Sequence, residues 1–412
     1  MVKKNIKYIY LSNKYFDGTV YKTQIIDWLT LFSEAGVTFE IFQIFHIKDL
    51  LRVRFCLNQI KSIKGQTSLF KGIIFQFPST GMFVYLNSAL LLIRMLSLFI
   101  RYREILMFSR GLIGKELKIL KKFPFSKVTF YFDARAASAE ENKYTAIKKS
   151  EFSLWKFKKI AHIYFTEYTT LICSDKIFAV SEKLIDYFED TYKIPRSKFV
   201  LYPCLSDSSK FYMSQQIRLD IRKNLNISNQ TILLLYSGGL SAVNTYHITE
   251  EMFCFFDAMI NVSRNLKFLI LTKDKYDLPG ILKNHPGLEN MLIFYNAENE
   301  KIFEFLNAAD FGVLFRENTI MNNVASPSKF AEYILCGLPV IISEGVGDFS
   351  KFTVDQNLGQ VLSDHELKDP RNIDFQKILG RQFDRLHISQ IGLKYLAKRS
   401  RLDDLVRILK EN

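Results

Sequence analysis

Cysteine is scarce and scattered. The five cysteines, Cys56, Cys173, Cys204, Cys254 and Cys336, form no CxxC pair and are odd in number. That excludes a zinc ribbon, argues against a disulfide framework and fits a reducing, cytoplasmic compartment. Histidine is equally thin, with six dispersed residues, and there is no D-x-D motif or His/Asp cluster at ligand spacing. No metal site is therefore expected. No G-x-G-x-x-G follows the first apolar segment and no G-x-x-x-x-G-K-[ST] occurs, which argues against a nicotinamide dehydrogenase and a P-loop enzyme. Pro- or Ser-rich tracts and solenoid repeats are also missing. The opening MVKKNIKYIYLS lacks the small-residue cleavage site of a signal peptide and reads as a first strand. The longest apolar run, Met82–Ile100, is interrupted by Asn87 and Arg94, so it reads as a buried or interfacial helix rather than a membrane span.

What is present is globular. The 412 residues are 48% hydrophobic and 24% charged, and a single core rarely grows so large, so two domains are expected. The net charge of +14 is unevenly spread. Residues 1–200 hold 32 Lys/Arg against 17 Asp/Glu, or +15, whereas residues 201–412 hold 24 against 25, or −1. The first half is basic for a local reason: an anionic membrane surface, a phosphorylated acceptor or nucleic acid.

Apolar runs alternate with helical stretches. In the first half the strands are Ile6–Leu11, Thr38–Phe45, Gly72–Gln76, Ile105–Phe108, Val128–Phe132, Lys176–Val180 and Phe199–Tyr202. Several are continuously apolar, as parallel strands buried on both faces are. Helices fall between them, among them Ala139–Cys173 and Glu182–Tyr192. The polar segment Pro203–Gln215 breaks the pattern and suits a linker. A second series follows, with strands at Thr231–Tyr236, Lys267–Leu271, Met291–Phe294, Phe311–Leu314 and Pro339–Ile342, helices at Thr249–Val262, Glu300–Ala308 and Pro327–Cys336, and a basic helical tail at Ile391–Leu409. The expectation is an α/β chain of two Rossmann-like doubly wound domains, with ligands at the carboxyl ends of the strands. The domains are set at residues 1–205, with 391–412 packing back on them, and 206–390.

Two segments carry chemistry in the second domain. Tyr236-Ser237-Gly238-Gly239-Leu240-Ser241 follows a strand, and its glycines let backbone N–H groups approach an anion, although a plain tight turn looks the same. Ser326-Pro327-Ser328-Lys329-Phe330-Ala331-Glu332 opens a helix, with Ser326 as N-cap and Pro327 as first helical residue. Lys329 and Glu332 are three apart and share a face. A first turn bearing Ser, Lys and Glu suits a phosphorylated ligand with hydroxyls; the alternative is a capped helix with a local salt bridge. Arg316 lies just past the strand Phe311–Leu314, where it is either a phosphate-binding cation or solvated. In the first domain Asp133 ends a strand and Arg135 lies two residues on, either facing a cleft or forming an ion pair that fastens the next loop.

SPSKFAEYILCGLPVI resembles the donor-site motif of GT-B glycosyltransferases, closest to glycosyltransferase family 4 and to the branch reading SPxKxxEYLAxGLPV. Glu332 matches the second Glu of the common family motif, and the first falls on Val324. Gly345-Val346-Gly347-Asp348 is similar to that branch's GVGD loop, Tyr236–Leu240 to its YxGSL turn, and Asp133-Ala134-Arg135 with Glu140-Glu141 to its D-x-RG…DE segment. Tyr202-Pro203-Cys204 through Phe211 is similar to its linker, so the resemblance spans about residues 128–362. It implies a GT-B fold, two domains facing across a cleft, and transfer of a sugar from a nucleotide-diphosphate sugar with retention of configuration and without metal or other cofactor. It also implies that Gly238, Gly239, Ser241, Arg316, Ser326, Ser328 and Glu332 bind the donor. Asp133, Arg135, Glu141 and Lys329 would be catalytic. Leu240–Tyr246 lacks the family's usual Arg and Lys, leaving Lys329 and Arg316 as substitutes.

The acceptor implied is a saccharide, lipid-linked, for a cell-surface polysaccharide. Lys115–Lys127 and Lys143–Ile160 interleave lysine with Phe, Trp and Ile, which suits a peripheral protein on an anionic membrane surface at the inner face of the cytoplasmic membrane; a solvated helix face is the alternative. No nucleic-acid-binding module is recognised. A catalytically inactive sugar-nucleotide-binding subunit and a GT-B-fold sugar-nucleotide epimerase are the competing readings.

Overall fold

Strands buried on both faces dominate both halves of the chain: Glu104–Ser109, Phe311–Leu314 and Val340–Ser343 are buried at every position. Such strands need parallel neighbours and helical crossovers. The computed structural model, which describes residues 6–16, 20–122, 124, 126–148, 153–240, 248–274, 276–296 and 298–411, shows two sheets built this way. The first comprises β1 (Ile6–Ser12), β2 (Phe39–His46), β3 (Phe70–Gln76), β4 (Glu104–Ser109), β5 (Lys127–Ala134), β6 (Lys176–Ala179) and β7 (Phe199–Leu201). The second comprises β8 (Ile232–Ser237), β9 (Leu266–Leu271), β10 (Leu292–Tyr295), β11 (Phe311–Leu314), β12 (Val340–Ser343) and β13 (Gly359–Leu362). All pairs are parallel, in the orders β3-β2-β1-β4-β5-β6-β7 and β10-β9-β8-β11-β12-β13. Each order reverses beside its first strand, so the switch points lie between β1 and β4 and between β8 and β11.

The chain divides into two compact units, residues 1–203 with 402–412, and residues 204–401. The first unit's core is aromatic, with Phe108 packed against Tyr10, Phe39, Phe178 and Tyr202. In the second, Phe253, Phe255 and Phe256 cluster with residues of β8, β9 and β11, Phe268 of β9 among them.

Several expectations are corrected. The tail is two helices, Arg385–Tyr395 in the second unit and Arg399–Lys410, which begins at the boundary and runs into the first. Ser389 in the former donates to Leu335 O, while Lys410 in the latter donates to Ala35 O. The stretch Ala139–Cys173 holds two helices, Ser138–Lys148 and Leu154–Cys173, the second capped by Ser153 accepting from Lys156 N at 3.2 Å. The segment Pro203–Gln215 leads directly into an unexpected helix, Gln215–Asn224, capped by Ser214. β13 was also not expected; Gly359 opens it because a Cβ there would stand 1.8 Å from Val340 O.

Candidate functional site

β8 ends at Ser237, and the chain then passes through Gly238 and Gly239 beside the switch point. The turn is held from three sides. Gly238 N donates to Leu271 O at 3.0 Å, the Tyr236 hydroxyl donates to Gly239 O at 2.8 Å, and Leu240 N donates to Asp274 Oδ2 at 2.9 Å. A Cβ on Gly238 would stand 2.6 Å from Tyr236 Oη and 2.8 Å from Lys329 Nζ. The Lys329 ammonium therefore lies against this glycine. Ser241 is outside the described residues.

Lys329 is delivered by the helix Ser328–Leu335, which is tied to the end of β8 by Ser237 N donating to the Tyr333 hydroxyl at 3.2 Å. Gly337, at φ 65°, ends the helix, and Leu338 N donates to Tyr333 O at 3.0 Å. The helix begins one residue later than expected, because Pro327 occupies the cap position in extended conformation. Ser326 is not the cap: its hydroxyl accepts from Cys204 N at 3.0 Å, and its side chain is spent holding the chain where the second unit begins. The Ser328 hydroxyl is hydrogen-bonded to Glu332.

Arg316 follows Phe315 at the end of β11. Its backbone is clamped by Ser343 at the end of β12, with Arg316 N donating to Ser343 Oγ at 2.9 Å and Ser343 Oγ donating to Arg316 O at 3.0 Å. Its Nη1 donates to Asn322 Oδ1 at 3.3 Å. The Gly345–Asp348 loop is fitted against the same segment. Gly347, at φ 51°, donates to Asn322 O at 3.1 Å, and a Cβ there would stand 1.8 Å from Ala325 O. Val324 is buried.

These groups act on one another. Burial, and then Arg316, lower the Lys329 pKa to about 8, while Glu332 and Asp274 oppose the fall. Burial raises the Glu332 carboxyl, and Lys329 and the Ser328 hydroxyl oppose the rise. A buried cation thus lies against a bare glycine turn at a switch point, with a second cation and two carboxylates acting on it, which suits an anion carrying hydroxyls. Asp274, three residues past β9, was missed by sequence reading, and Tyr236 was read only as the head of the glycine segment; a carboxylate following an apolar strand is the signal that marks Asp274.

In the first unit Asp133 is buried at the end of β5. Its carboxylate is 2.5 Å from Arg135 Nε and 3.8 Å from Arg110 Nε, and it accepts from the Tyr10 hydroxyl at 2.6 Å. The Arg135 guanidinium lies over the Tyr202 ring at 4.3 Å. The geometry is that of an ion pair fastening the loop after β5. Arg110, at the end of β4, was missed; it too is a charged residue just past an apolar strand. Glu141 lies half-buried in the first turn of the helix Ser138–Lys148. A different carboxylate receives that helix: Glu167 accepts from Ser138 N at 2.7 Å and from the Tyr192 hydroxyl at 2.6 Å, and burial pushes its pKa up to about 7.

One group of metal-ligating types occurs among the described residues. Glu250, Cys254 and His285 offer donor atoms within 4.8 Å of one another, and His285 Nε2 is 3.2 Å from Glu250 Oε1. None of the three belongs to the Lys329 cluster.

No protein-family model and no curated protein sequence matches the chain. Solved structures do. HepE from Anabaena in complex with UDP-glucose aligns at TM-score 0.64 and 12% identity, over 98% of this chain and 100% of that one. WaaG, a glycosyltransferase involved in lipopolysaccharide biosynthesis, aligns at 0.64 and 14%, with the same coverage. The UDP-GlcNAc 2-epimerase of Neisseria meningitidis bound to UDP-GlcNAc aligns at 0.55 and 9%, over 99% of this chain and 100% of that one. At such identities the likeness is one of architecture, and the two doubly wound units of this chain have the GT-B fold.

Proposed function

We propose that the chain is a glycosyltransferase that moves a sugar from a nucleotide-diphosphate sugar to a saccharide acceptor in cell-surface polysaccharide synthesis. The observation that supports this reading is the Lys329 ammonium against Gly238 at the second unit's switch point, with Arg316 and Glu332 close enough to act on its charge. The Glu332 carboxylate accepts from the vicinal hydroxyls of the nucleotide ribose. Lys329 and Arg316 face the diphosphate, and their charges stabilise the anion that grows as the glycosidic bond breaks. The absence of a side chain at Gly238 and Gly239 lets the diphosphate approach the backbone closely, and the start of the helix Ser328–Leu335 adds a favourable dipole end. The likeness to a UDP-glucose complex favours a uridine donor.

The remaining features complete the proposal. The acceptor, lipid-linked, is received by the first unit near Asp133, Arg135 and Glu141, and the protein works peripherally at the inner face of the cytoplasmic membrane. Attack comes from the face that the diphosphate leaves. The acceptor oxygen bonds to the anomeric carbon, the carbon–phosphate oxygen bond breaks, and the acceptor proton passes to the leaving diphosphate. Configuration is retained, and no metal or other cofactor takes part.

Likeness to an epimerase keeps a second reading in view, and Val324 at the first motif Glu keeps a third, an inactive binding subunit. A thermal-shift panel of UDP-, GDP-, dTDP- and ADP-sugars followed by product analysis separates them. A donor at ~100 times its dissociation constant raises stability by ~2.7 kcal/mol. Transfer to a saccharide supports the proposal; a product still nucleotide-linked favours the epimerase, and binding without turnover favours the subunit. No stabilisation by any nucleotide sugar overturns all three.

A further inference from the structure

The first unit carries a face that its own fold leaves open. The helices Phe83–Arg101, Gly114–Leu120 and Leu154–Cys173 pack side by side, the short one in the middle. Gly114 permits this closeness, since a Cβ there would stand 2.4 Å from Thr170 Cα. The inward side of Phe83–Arg101 is ordinary: Val84, Asn87, Ser88, Leu91, Met95 and Phe99 are buried. The outward side is not. Tyr85 and Ile93 are each 70% exposed and Ile100 71%, with Met82, Leu86 and Leu96 also exposed. On Leu154–Cys173 the exposed residues include Leu154, Trp155, Phe157 and Phe165.

Charge on this face has one sign. The sequence has no carboxylate between Asp49 and Glu104. Glu116 and Glu167, the carboxylates of the other two helices, are fully buried. Arg94, Arg101, Lys118, Lys158 and Lys159 are exposed. At the centre lies a groove of about 450 Å³ whose walls include Val84, Tyr85, Ile119, Phe165 and Ile172, with Lys115 and Lys118 lining it. The Lys115 ammonium stands 4.4 Å from the centroid of the Phe165 ring.

The helix Phe83–Arg101 is long and apolar enough to cross a membrane, yet only a third of it is buried and both its ends feed strands of one sheet. A helix so tethered lies along an interface rather than through it. We propose that this three-helix face docks on an anionic membrane leaflet, with the central groove taking an acyl chain of one leaflet lipid and Lys115 and Lys118 taking its phosphate. Large exposed apolar patches mark interaction sites. Charge complementarity selects the occupant: cations interleaved with aromatic and aliphatic side chains, and no exposed carboxylate on the three helices, match an anionic lipid surface. The inference rests on the lipid-linked acceptor reading for its purpose only.

The two tryptophans supply the test. Trp155 is 69% exposed on the face, and Trp28 is 1% exposed in the core. The whole protein is titrated with phosphatidylcholine vesicles, with and without phosphatidylglycerol, using brominated acyl chains as quencher. The expected result is a blue shift and quenching of Trp155 with anionic vesicles only, lost in Trp155→Phe and kept in Trp28→Phe. Reversing Lys115 and Lys118 to Glu should weaken binding at least about tenfold. Ile93→Lys should weaken it too, with the unfolding midpoint unchanged because the side chain is outside the core. No vesicle binding, binding indifferent to lipid charge, or binding without quenching of Trp155 would each overturn the proposal. The assay holds no sugar nucleotide, so its failure is separate from failure of the donor site.

Discussion

Replacing Lys329 by methionine should stabilise the ligand-free protein while weakening its hold on a diphosphate. Burial and the neighbouring Arg316 bring the Lys329 pKa from the ordinary 10.5 to about 8, net of the help from Glu332 and Asp274. At ~1.4 kcal/mol per pH unit, the charged form carries ~3 kcal/mol of unfavourable free energy in the folded state. The sign with pH follows. Between pH 8 and 10.5 the unfolded chain keeps a proton that the folded chain releases, so the wild type gains stability as pH rises through that window. Methionine has no such proton and is close in length; its repacking costs up to ~1.5 kcal/mol. The variant should be more stable by roughly 1.5–3 kcal/mol below pH 8, with the gap closing towards pH 10.5. Urea unfolding of both proteins at pH 7, 8, 9 and 10 reads this directly, provided the slope with denaturant is shared. Titrating groups that do not act on Lys329 cancel in the difference, whereas Glu332 loses the charge that holds its carboxyl down. A variant less stable at pH 7, or a gap that ignores pH, would refute the reasoning and make Lys329 an internal counter-ion for Glu332. In the wild type, donor affinity should fall as pH rises above 8, with proton uptake on binding near pH 8.

Glu332→Gln should weaken nucleotide-sugar binding about ten- to hundredfold with the fold intact, the loss of one charge-assisted hydrogen bond; equal affinities in calorimetry would remove Glu332 from the site. Asp133→Asn should lower stability by ~3 kcal/mol or more, because it leaves the buried guanidinium groups of Arg110 and Arg135 beside a neutral amide. It should spare donor binding, and an unchanged unfolding midpoint would show that the network is not held by charge. Transfer should persist in EDTA, and loss restored by Mg²⁺ or Mn²⁺ would overturn the metal-free proposal.

The strands were legible because burial on both faces leaves an unbroken apolar run, as in Ile105–Phe108 and Phe311–Leu314. β13 was not, because Gly-Gln-Val-Leu is short, carries a glutamine and pairs only with β12. Its glycine reports the approach of another strand's carbonyl, which no local pattern shows. The start of a second helix at Leu154, capped by Ser153, was hidden for a related reason. Helical spacing continues across it, and the capping serine is one among several polar residues.

The candidate site divides along the same line. Ser328, Lys329 and Glu332 lie within two turns of one helix, so spacing alone places them together. Arg316 was legible as the first charge past an apolar strand, where side chains point to the ligand-binding edge. Asp274 and Arg110 obey the same rule, yet the rule does not say which strand ends are neighbours. That is a matter of strand order. β8 lies between β9 and β11, which brings Asp274 to the Gly238 turn from one side and Arg316 into reach of Lys329 from the other. The order β1-β4-β5 likewise brings Tyr10, which reads as plain core in its apolar run, to Asp133 across 123 residues. Ser326 misled for the opposite reason. Its sequence context is that of an N-cap, but its partner is a backbone N–H 122 residues away at Cys204. Local chemistry thus fixes which groups a segment offers, and the crossover order decides which offers meet. The two cations were found because each stands at a strand or helix end in its own right. The carboxylate of Asp274, which with Glu332 offsets part of their repulsion, becomes visible only once the order β9-β8-β11 is known.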